Sequence, residues 1–344
     1  MRRNQNHEKT IAVIFGGRST EYSVSLQSAC SVLKEINQEK YHILPIGITE
    51  NGKWYHYTGD TDSIENNTWF THDISPVLFN PDPEKHCLII DNKEIQIDAM
   101  LPILHGINGE DGTVQGMAGV CGIPIIGCGI LSSALCMDKA RAHDLVSHAG
   151  IPCAKSIVIH HICEGKKACS DLTFPVFVKP VRAGSSIGIH RCTTEDEVIP
   201  ALKEAFAIDS QVILEEEIKG FEVGCAVMGN EKLVVGRVDE IELSHGFFDF
   251  EEKYTLKTSR IHMPARITEQ EEKTIQETAK QIYSILGCSG FARVDMFYTP
   301  EKQIFFNEVN TIPGFTSHSR YPNMMKGTGL SFAEMLDRII GLCL

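Results

Sequence analysis

The amino-acid sequence predicts an α/β protein in which an open α/β unit is followed by two α+β units. Three observations support this fold class. The chain opens with a strand, a Gly-Gly turn and an amphipathic helix, as open α/β sheets do. Further along, helices that begin with a capping box alternate with short apolar strands. Near the end, two strands are joined by a short turn. A chain of 344 residues suits two or three packed subdomains.

The first unit, residues 1–129, is predicted from buried strands separated by turn signals. Residues 11–15 form a strand that ends in Gly16-Gly17, and a helix pattern with Leu26, Ala29 and Leu33 follows. Asn51-Gly52 indicates a hairpin turn. Further strands are predicted at residues 43–48, Trp54–Tyr57, 99–104 and 123–126, and residues 60–85 are predicted as loop because they have no clear period.

The second and third units are predicted at residues 130–220 and 221–344. In the second unit one helix is expected over 132–149, and a capping box opens a second helix at Thr194. Its strands are expected at 175–180, 187–192 and 211–215. In the third unit Thr268 and Glu271 form a capping box for a helix that ends at Gly287. Its strands are expected at 222–228, 233–241, Phe291–Tyr298 and 303–310, with an irregular stretch at 244–260.

Charge and composition argue against several classes of function. The chain has 45 acidic and 32 basic residues, a formal charge of −13, and no basic cluster, so nucleic acid and anionic membranes are poor partners. The polar amino terminus and the short apolar run that follows do not make a signal peptide, so we expect a cytoplasmic protein. Residues 112–137 carry no charge, but their glycines and Pro124 argue against a membrane span. The twelve cysteines contain no CxxC pair and are expected to be reduced thiols without a role.

The closing strand pair carries the strongest chemical signal. If Tyr298 pairs with Gln303, then Arg293 faces Glu308 and Asp295 faces Phe306. Because side chains alternate along a strand, one face then holds the polar set Arg293, Asp295, Glu308 and Asn310. Oxygen-rich clusters of this kind suit Mg²⁺. The alternative is a surface ion-pair ladder. Mg²⁺ is favoured because the opposite face is apolar, with Val294, Met296, Phe305 and Val309.

Two glycine-containing loops are ambiguous from the residues alone. Lys179 ends a strand before a Gly-Ser loop, which suits phosphate binding but also an ordinary hairpin turn, and the P-loop pattern is absent. Residues 104–112 contain three glycines and two acids, and a ligand-lining loop and a surface turn fit equally well. Glu21 lies near a helix N-terminus, where it can interact with the helix dipole.

Six motifs, in order along the chain, identify a family. They are IAVIFGGRSTEYSVSLQS, LPILHGINGEDGTVQG, SALCMDK, FVKPVRAGSSIG, GFARVDMF and FNEVNTIPGFTSHSRYP. The sequence resembles the D-alanine–D-alanine ligases of the ATP-grasp superfamily from about residue 10 to the carboxyl terminus. The segments NNTWF, SALCMDKARAH, GFEVGCAVMG, GRVDEIELS and EKYTLK are most similar to the G-type D-alanine–D-serine ligases of glycopeptide-resistant bacteria.

The resemblance implies an ATP-grasp fold, with ATP between the second and third units, and a homodimeric protein. It assigns ATP binding to Lys139, Lys179, Glu215, Ile218, Glu222 and Lys253. It assigns the metal, two Mg²⁺ ions for which Mn²⁺ can substitute, to Asp295, Glu308 and Asn310. The catalytic residues it implies are Glu21, Ser185, Lys253, Tyr254, Arg293 and Gly314, and the substrate residues are Glu21, His105, Arg293, Ser319 and Arg320. Residues 244–260 would form a lid.

The activity implied is ligation of D-alanine to D-serine through a D-alanyl phosphate, at the expense of ATP. The triplet Glu252-Lys253-Tyr254 favours an amine over a hydroxyl nucleophile, and Arg320 stands where many housekeeping relatives have an apolar residue. The product would be a modified peptidoglycan precursor that confers vancomycin resistance. Three alternatives stay open: a housekeeping D-alanine–D-alanine ligase, another ATP-grasp carboxylate–amine ligase, and a catalytically silent nucleotide-binding regulator.

Overall fold

The computed structural model of the protein describes residues 9–184, 186–242 and 260–344. Within these ranges the strands form three sheets, and each sheet uses strands that are consecutive in the chain. The architecture is therefore mixed α/β, as the sequence predicts. The unit boundaries at residues 129 and 220 stay predictions. No helix in the described ranges is long and apolar enough to cross a membrane.

The first sheet contains seven strands among the described residues. They are β1 (Lys9–Gly16), β2 (Tyr41–Ile48), β3 (Trp54–Tyr57), β4 (Ile74–Phe79), β5 (Cys87–Ile90), β6 (Lys93–Gln96) and β7 (Ala99–Ile103), in the order β6-β5-β4-β3-β2-β1-β7. Strand β1 pairs in parallel with β2 and β7, and the other pairs are antiparallel. The accompanying helices are α1 (Tyr22–Glu35), α2 (Thr61–Glu65) and α3 (Thr113–Val120).

Strand β1 is apolar at successive positions because both of its faces are covered. Ile11, Val13 and Phe15 pack in one core cluster with helix α1, whereas Ala12 and Ile14 pack in a second cluster on the other face. The strand ends at Gly16, whose φ of 85° and close approach to the carbonyl oxygen of Ile48 leave no room for a side chain. The predicted strand, glycine turn and helix are all present.

Two predictions for the first unit are wrong. Residues 60–85 are not a loop, since they contain α2, a 3₁₀ turn (Trp69–Thr71) and β4. The cause is Trp69, which is fully buried, contacts the rings of Phe15 and Tyr57, and donates a 3.1 Å hydrogen bond to the Tyr22 hydroxyl. Residues 123–126 form no regular strand, and the pairing there is an isolated bridge between Met100 and Ile125.

The second sheet has four antiparallel strands among the described residues. They are β8 (Ser156–Ile159), β9 (Val176–Pro180), β10 (His190–Cys192) and β11 (Val212–Glu216), in the order β10-β9-β11-β8. The helices are α4 (Ile130–Met137), α5 (Lys139–His148), α6 (Gly165–Asp171) and α7 (Glu195–Phe206). The capping box at Thr194 is present, and β10 begins three residues later than predicted.

The single helix predicted over 132–149 is two helices, α4 and α5. Asp138 separates them in an extended conformation and caps α5, since its carboxylate accepts a 3.0 Å hydrogen bond from the backbone N–H of Arg141. This break places Lys139 at the first position of α5.

The third sheet has five antiparallel strands among the described residues. They are β12 (Phe221–Met228), β13 (Val234–Glu242), β14 (Arg260–His262), β15 (Phe291–Tyr298) and β16 (Ile304–Asn310), in the order β14-β13-β12-β15-β16. The helices are α8 (Glu269–Ile285), α9 (Arg320–Lys326) and α10 (Phe332–Gly341). The predicted capping box of Thr268 and Glu271 opens α8. The predicted lid, residues 244–260, lies outside the described residues except at Arg260.

The register of the β15–β16 pair differs from the predicted one. Arg293 faces Asn310 and Asp295 faces Glu308, whereas beyond Asp295 a β-bulge shifts the pairing so that Met296 faces Phe306. Because a one-residue shift exchanges the two faces, Phe306 rather than Phe305 packs in the core with Val294, Met296 and Val309. The four predicted polar residues still share one face.

The first and third sheets are joined by a common core. Buried residues of β1 and α1 cluster with Phe291, Phe315 and Tyr321, and with the apolar face of α10. The second sheet has its own smaller core, which includes Val178, Leu202 and Leu214. The second sheet is thus the more separate part of the molecule, and the cleft described below lies at its junction with the third sheet.

Candidate active site

A cleft of about 290 Å³ lies between strands β9 and β11 of the second sheet and strands β12, β15 and β16 of the third. It is lined by all the described residues that were predicted to bind ATP, namely Lys139, Lys179, Glu215, Ile218 and Glu222, together with the metal candidate Glu308. The sixth, Lys253, lies outside the described residues. The structure thus brings the five residues together, while their individual roles stay predictions.

The charged groups at the base of this cleft are buried and paired. Lys179 forms an ion pair with Glu215, which is 3% exposed. Burial alone would raise the pKa of Glu215, but the positive charge of Lys179 lowers it below the ordinary value. Glu215 Oε1 has no hydrogen-bond partner among the described residues, and His143 Nδ1 lies 3.6 Å from it. The carboxylate of Glu215 therefore keeps an acceptor oxygen for a ligand N–H. His143 was not among the site residues predicted from the sequence.

Lys139 connects this cleft to the metal candidates. Its ammonium donates a 2.7 Å hydrogen bond to the carbonyl oxygen of Ala183 in the Gly-Ser loop, and it lies 3.9 Å from Glu308 Oε2. The capped start of α5 holds the lysine in this place. Ser185 lies outside the described residues.

The polar face of β15 and β16 holds the predicted metal ligands. Asp295 is 1% exposed and accepts hydrogen bonds from Arg293 Nε (2.8 Å) and Nη2 (2.7 Å) and from Asn310 Nδ2 (2.9 Å). Burial disfavours the charge of Arg293, but Asp295 raises the pKa of its guanidinium above the ordinary value. The guanidinium of Arg293 therefore stays charged although it is buried.

The oxygen donors on this face fit a hard divalent cation. Two carboxylates, Asp295 and Glu308, face each other on neighbouring strands, and the Asn310 amide hydrogen-bonds to the first. No group of three or more His, Cys, Asp or Glu side chains with metal-binding geometry occurs in the described ranges. A cation here would take its remaining ligands from phosphate and water, as Mg²⁺ does in nucleotide sites.

Arg320 is buried and lies against three carboxylates. It donates to both oxygens of Asp239 (2.7 and 2.8 Å) and to Glu222 Oε1 (2.8 Å), and it lies 3.4 Å from Asp295 Oδ1. Burial opposes its charge, yet these carboxylates raise the pKa of Arg320 well above the ordinary value. Sequence reasoning missed Asp239, for which the only signal was a pair of acids within an apolar strand.

Glu21 lies where three parts of the chain meet. The residue is 7% exposed and directly precedes α1. A Cβ atom on Gly106 or on Gly184 would lie 2.5 or 2.6 Å from Glu21 Oε2. Only glycine permits this approach, so the loop after β7 and the Gly-Ser loop after β9 both close around the carboxylate. Tyr254, which the resemblance assigns with Ser185 as a hydrogen-bonded partner of Glu21, lies outside the described residues.

His105 and Glu110 occupy the ambiguous loop of residues 104–112. Burial lowers the pKa of His105 and raises that of Glu110 to about 8. His105 Nδ1 lies 2.9 Å from the carbonyl oxygen of Ile312, and Glu110 Oε1 accepts a 2.9 Å hydrogen bond from the N–H of the same residue. The loop therefore lines the site and is not a plain surface turn. Glu110 was not among the predicted site residues.

The remaining two predicted residues, Gly314 and Ser319, lie next to each other. A Cβ atom on Gly314 would lie 2.7 Å from the Ser319 hydroxyl oxygen, which also accepts a 3.0 Å hydrogen bond from the Thr316 N–H. We refer to residues 311–319 as the second-substrate loop, a name that rests on the predicted role of Ser319 in binding the second substrate. It runs from the metal candidates to the start of α9, whose first residue is Arg320.

Comparisons with known proteins agree with this arrangement. Family models for the D-ala D-ala ligase N-terminus and C-terminus match residues 10–128 and 145–341. The crystal structure of VanG D-Ala:D-Ser ligase from Enterococcus faecalis superposes with a TM-score of 0.92 at 58% identity, covering 98% of this chain and 100% of that one. A D-alanine–D-alanine ligase from Caldicellulosiruptor bescii is 41% identical over 97% of this chain and 94% of its own. The vancomycin/teicoplanin A-type resistance protein VanA from Enterococcus faecium is 42% identical over 97% of this chain and 98% of its own.

A cleft between two α+β units, flanked by an acidic hairpin and an open α/β unit, is the arrangement of the ATP-grasp ligases. The chain belongs to the D-alanine–D-alanine ligase family. The predicted family and ATP-grasp fold class are thus confirmed, and ligases of this family in general use ATP and a divalent metal.

Proposed function

We propose that this protein ligates D-alanine to D-serine, with ATP converted to ADP and phosphate through a D-alanyl phosphate. The observation that supports this specificity is the similarity to the VanG D-Ala:D-Ser ligase structure, 58% identity over 98% of the chain. The D-alanine–D-alanine ligase and the VanA resistance protein are 41% and 42% identical, so these two relatives do not distinguish the second substrate. We further propose that the product is a modified peptidoglycan precursor for vancomycin resistance, and that the protein is a cytoplasmic homodimer.

The first step is transfer of the ATP γ-phosphate to the D-alanine carboxylate. Together, five residues of the cleft hold the adenine, ribose and phosphates of ATP: Lys139, Lys179, Glu215, Ile218 and Glu222. Lys253, from the proposed lid, reaches the transferred phosphate. A bound divalent cation, or two Mg²⁺ ions that Mn²⁺ can replace, held by Asp295, Glu308 and Asn310, would offset negative charge on the phosphates. Glu21 binds the ammonium group of D-alanine, and Ser185 and Tyr254 complete that contact.

In the second step the amine of D-serine attacks the acyl phosphate. Arg293 holds the negative oxygen that develops, together with the backbone of Gly314, and a charged guanidinium held in place by Asp295 is suited to this role. The lid, residues 244–260, would exclude water, which otherwise hydrolyses the acyl phosphate.

The second substrate would lie beside Ser319 and Arg320. Arg320 is buried, charged and held by Asp239 and Glu222, so it fixes a set of polar groups next to Ser319 that can orient a serine hydroxyl. An apolar residue at the same position would leave that hydroxyl unpaired. Because relatives that use D-lactate also carry this arginine, Arg320 argues against the housekeeping D-alanine–D-alanine form more than it selects D-serine.

Competition between the two amino acids tests the proposal. With ATP, Mg²⁺ and equal concentrations of D-alanine and D-serine, mass spectrometry of the dipeptides should show mainly D-alanyl-D-serine. A mixture dominated by D-alanyl-D-alanine would return the protein to the housekeeping class. Absence of phosphate release at millimolar amino acid would instead support the catalytically silent regulator.

A further inference from the structure

Both polar backbone groups of Ile312 are bound by side chains of one distant loop. The N–H donates a 2.9 Å hydrogen bond to Glu110 Oε1, and the carbonyl oxygen lies 2.9 Å from His105 Nδ1. These partners are 202 and 207 residues away in the sequence. Because the N–H and the carbonyl oxygen of Ile312 are both hydrogen-bonded, neither peptide plane that flanks this residue can rotate without breaking one of the two bonds.

The loop of residues 104–112 is built to present the two side chains together. Gly106 and Asn108 have φ angles of 70° and 67°, and the N–H groups of Gly109 and Glu110 both donate to the Gly106 carbonyl oxygen. Glu110 Oε2 accepts a 3.0 Å hydrogen bond from the Gly106 N–H. The carboxyl group of Glu110 therefore bridges its own loop and Ile312.

Ile312 lies two residues after Asn310 and two before Gly314, at the start of the second-substrate loop. The same loop is bound again at Phe315, whose N–H donates to the Ser28 hydroxyl at 3.3 Å. Ser28 in turn lies 3.1 Å from His105 Nε2. The first unit thus holds residues 312–315 at three successive points.

We propose that Glu110 and His105 are positioning residues that clamp the second-substrate loop through the backbone of Ile312 and thereby determine the affinity for the second amino acid. This inference rests on the proposed function, because it assigns the loop to the second substrate. The proposal adds Glu110 to the functional residues of the site. It also gives His105 a role that involves no proton transfer to the substrate.

The hydrogen bonds of His105 exclude an acid–base role. A carbonyl oxygen only accepts, so Nδ1 carries the proton, and Nε2 then accepts from the Ser28 hydroxyl while that oxygen accepts the Phe315 N–H. Both ring nitrogens are occupied, and burial lowers the pKa of the imidazole so that it stays neutral. His105 acts as a fixed donor to the loop.

The test separates activation of the first substrate from use of the second. Hydroxylamine traps an acyl phosphate as the hydroxamate, without requiring the second amino acid. Assays at pH 9 keep the Glu110 carboxyl ionised, since its pKa is raised to about 8. Under these conditions Glu110→Gln keeps the side-chain volume but leaves one acceptor oxygen where the wild type has two. It should form D-alanine hydroxamate within about twofold of wild type, whereas the KM for D-serine should rise roughly tenfold or more because the loop is misplaced.

Asp111→Asn is the matched control. Asp111 is the neighbouring acid, but its two hydrogen bonds, from the Asn108 and Thr113 N–H groups, stay within its own part of the chain. This variant should keep the wild-type KM for D-serine. Equal effects of the two substitutions, or equal losses of hydroxamate and dipeptide in Glu110→Gln, would overturn the clamp. Absence of hydroxamate from the wild type would instead contradict the proposed function.

A pair of His105 variants provides a second measurement if Glu110→Gln does not fold. The amide nitrogen of Asn can replace Nδ1, whereas that of Gln replaces Nε2. His105→Asn keeps the donor to Ile312 and should stay closer to the wild-type KM for D-serine than His105→Gln. Equal values, or the reverse order, would overturn the proposal.

Discussion

Asp295 is the residue where the charges of the candidate active site converge. Its buried carboxylate contacts Arg293 and Asn310 and lies within 3.4 Å of Arg320. We predict that Asp295→Asn reduces phosphate release to below about 1% of wild type, because a proposed metal ligand and the hydrogen-bonded partner of Arg293 are lost. The loss of the ion pair should also lower the free energy of unfolding by about 3 kcal/mol, which leaves a folded protein.

The control for Asp295→Asn is Glu301→Gln, which alters an exposed acid in the turn between β15 and β16. This variant should release phosphate at the wild-type rate. If the Asp295→Asn protein is folded and turns over normally with Mg²⁺, the polar face of the two strands is a structural ion-pair ladder.

The raised pKa of Glu110 predicts that the stability of the protein depends on pH. Its pKa is raised to about 8 in the folded protein, from 4.5. Between these values the unfolded chain loses the proton and the folded chain keeps it, so the free energy of unfolding decreases as pH rises and levels off above pH 8. Relative to Glu110→Gln, the wild type should lose about 1 kcal/mol per pH unit between pH 5 and 8 in urea unfolding. Parallel curves for the two proteins would contradict this assignment.

At the scale of an element, helix α8 is stabilised at its start by local hydrogen bonds. The Glu271 carboxylate accepts from the Thr268 N–H at 2.8 Å, and the Thr268 hydroxyl accepts from the Glu271 N–H at 3.3 Å. Thr268→Ala should lower the free energy of unfolding by about 1 kcal/mol, as measured by circular dichroism in urea. Thr274→Ala, inside the same helix on its exposed side, should have no cost because alanine has the higher helix propensity. A loss shared equally by both variants would show that the capping box contributes nothing specific.

At the scale of the whole molecule, the common core joins the first unit to the last helix. The two tryptophans, Trp54 and Trp69, lie in or beside the first sheet and report its unfolding by fluorescence. Ile339→Ala in α10 creates a cavity in the common core and should lower the stability reported by tryptophan by about 2–5 kcal/mol. Leu202→Ala in α7 makes a similar cavity in the separate core of the second sheet and should leave the tryptophan transition near wild type. Equal shifts would mean that all three sheets unfold as one unit.

The sequence by itself determined the features that depend on neighbours in the chain. The first strand, its glycine turn and helix, and both predicted capping boxes follow from local periodicity and cap chemistry. The polar face of β15 and β16 also follows, because alternation along each strand places Arg293 with Asp295 and Glu308 with Asn310. Family motifs then supplied the site residues and the class of ligase.

Tertiary structure alone decided the features that depend on distant partners. The β-bulge that buries Phe306 and the order of residues 60–85 around Trp69 have no local period. The pair of Arg320 and Asp239 spans 81 residues, and the contact of Glu110 with Ile312 spans 202. Local propensity contains no information on such pairs. Burial of a charge or a backbone polar group costs free energy unless it is hydrogen-bonded, and the packing of the sheets determines which distant residue is close enough to be its partner.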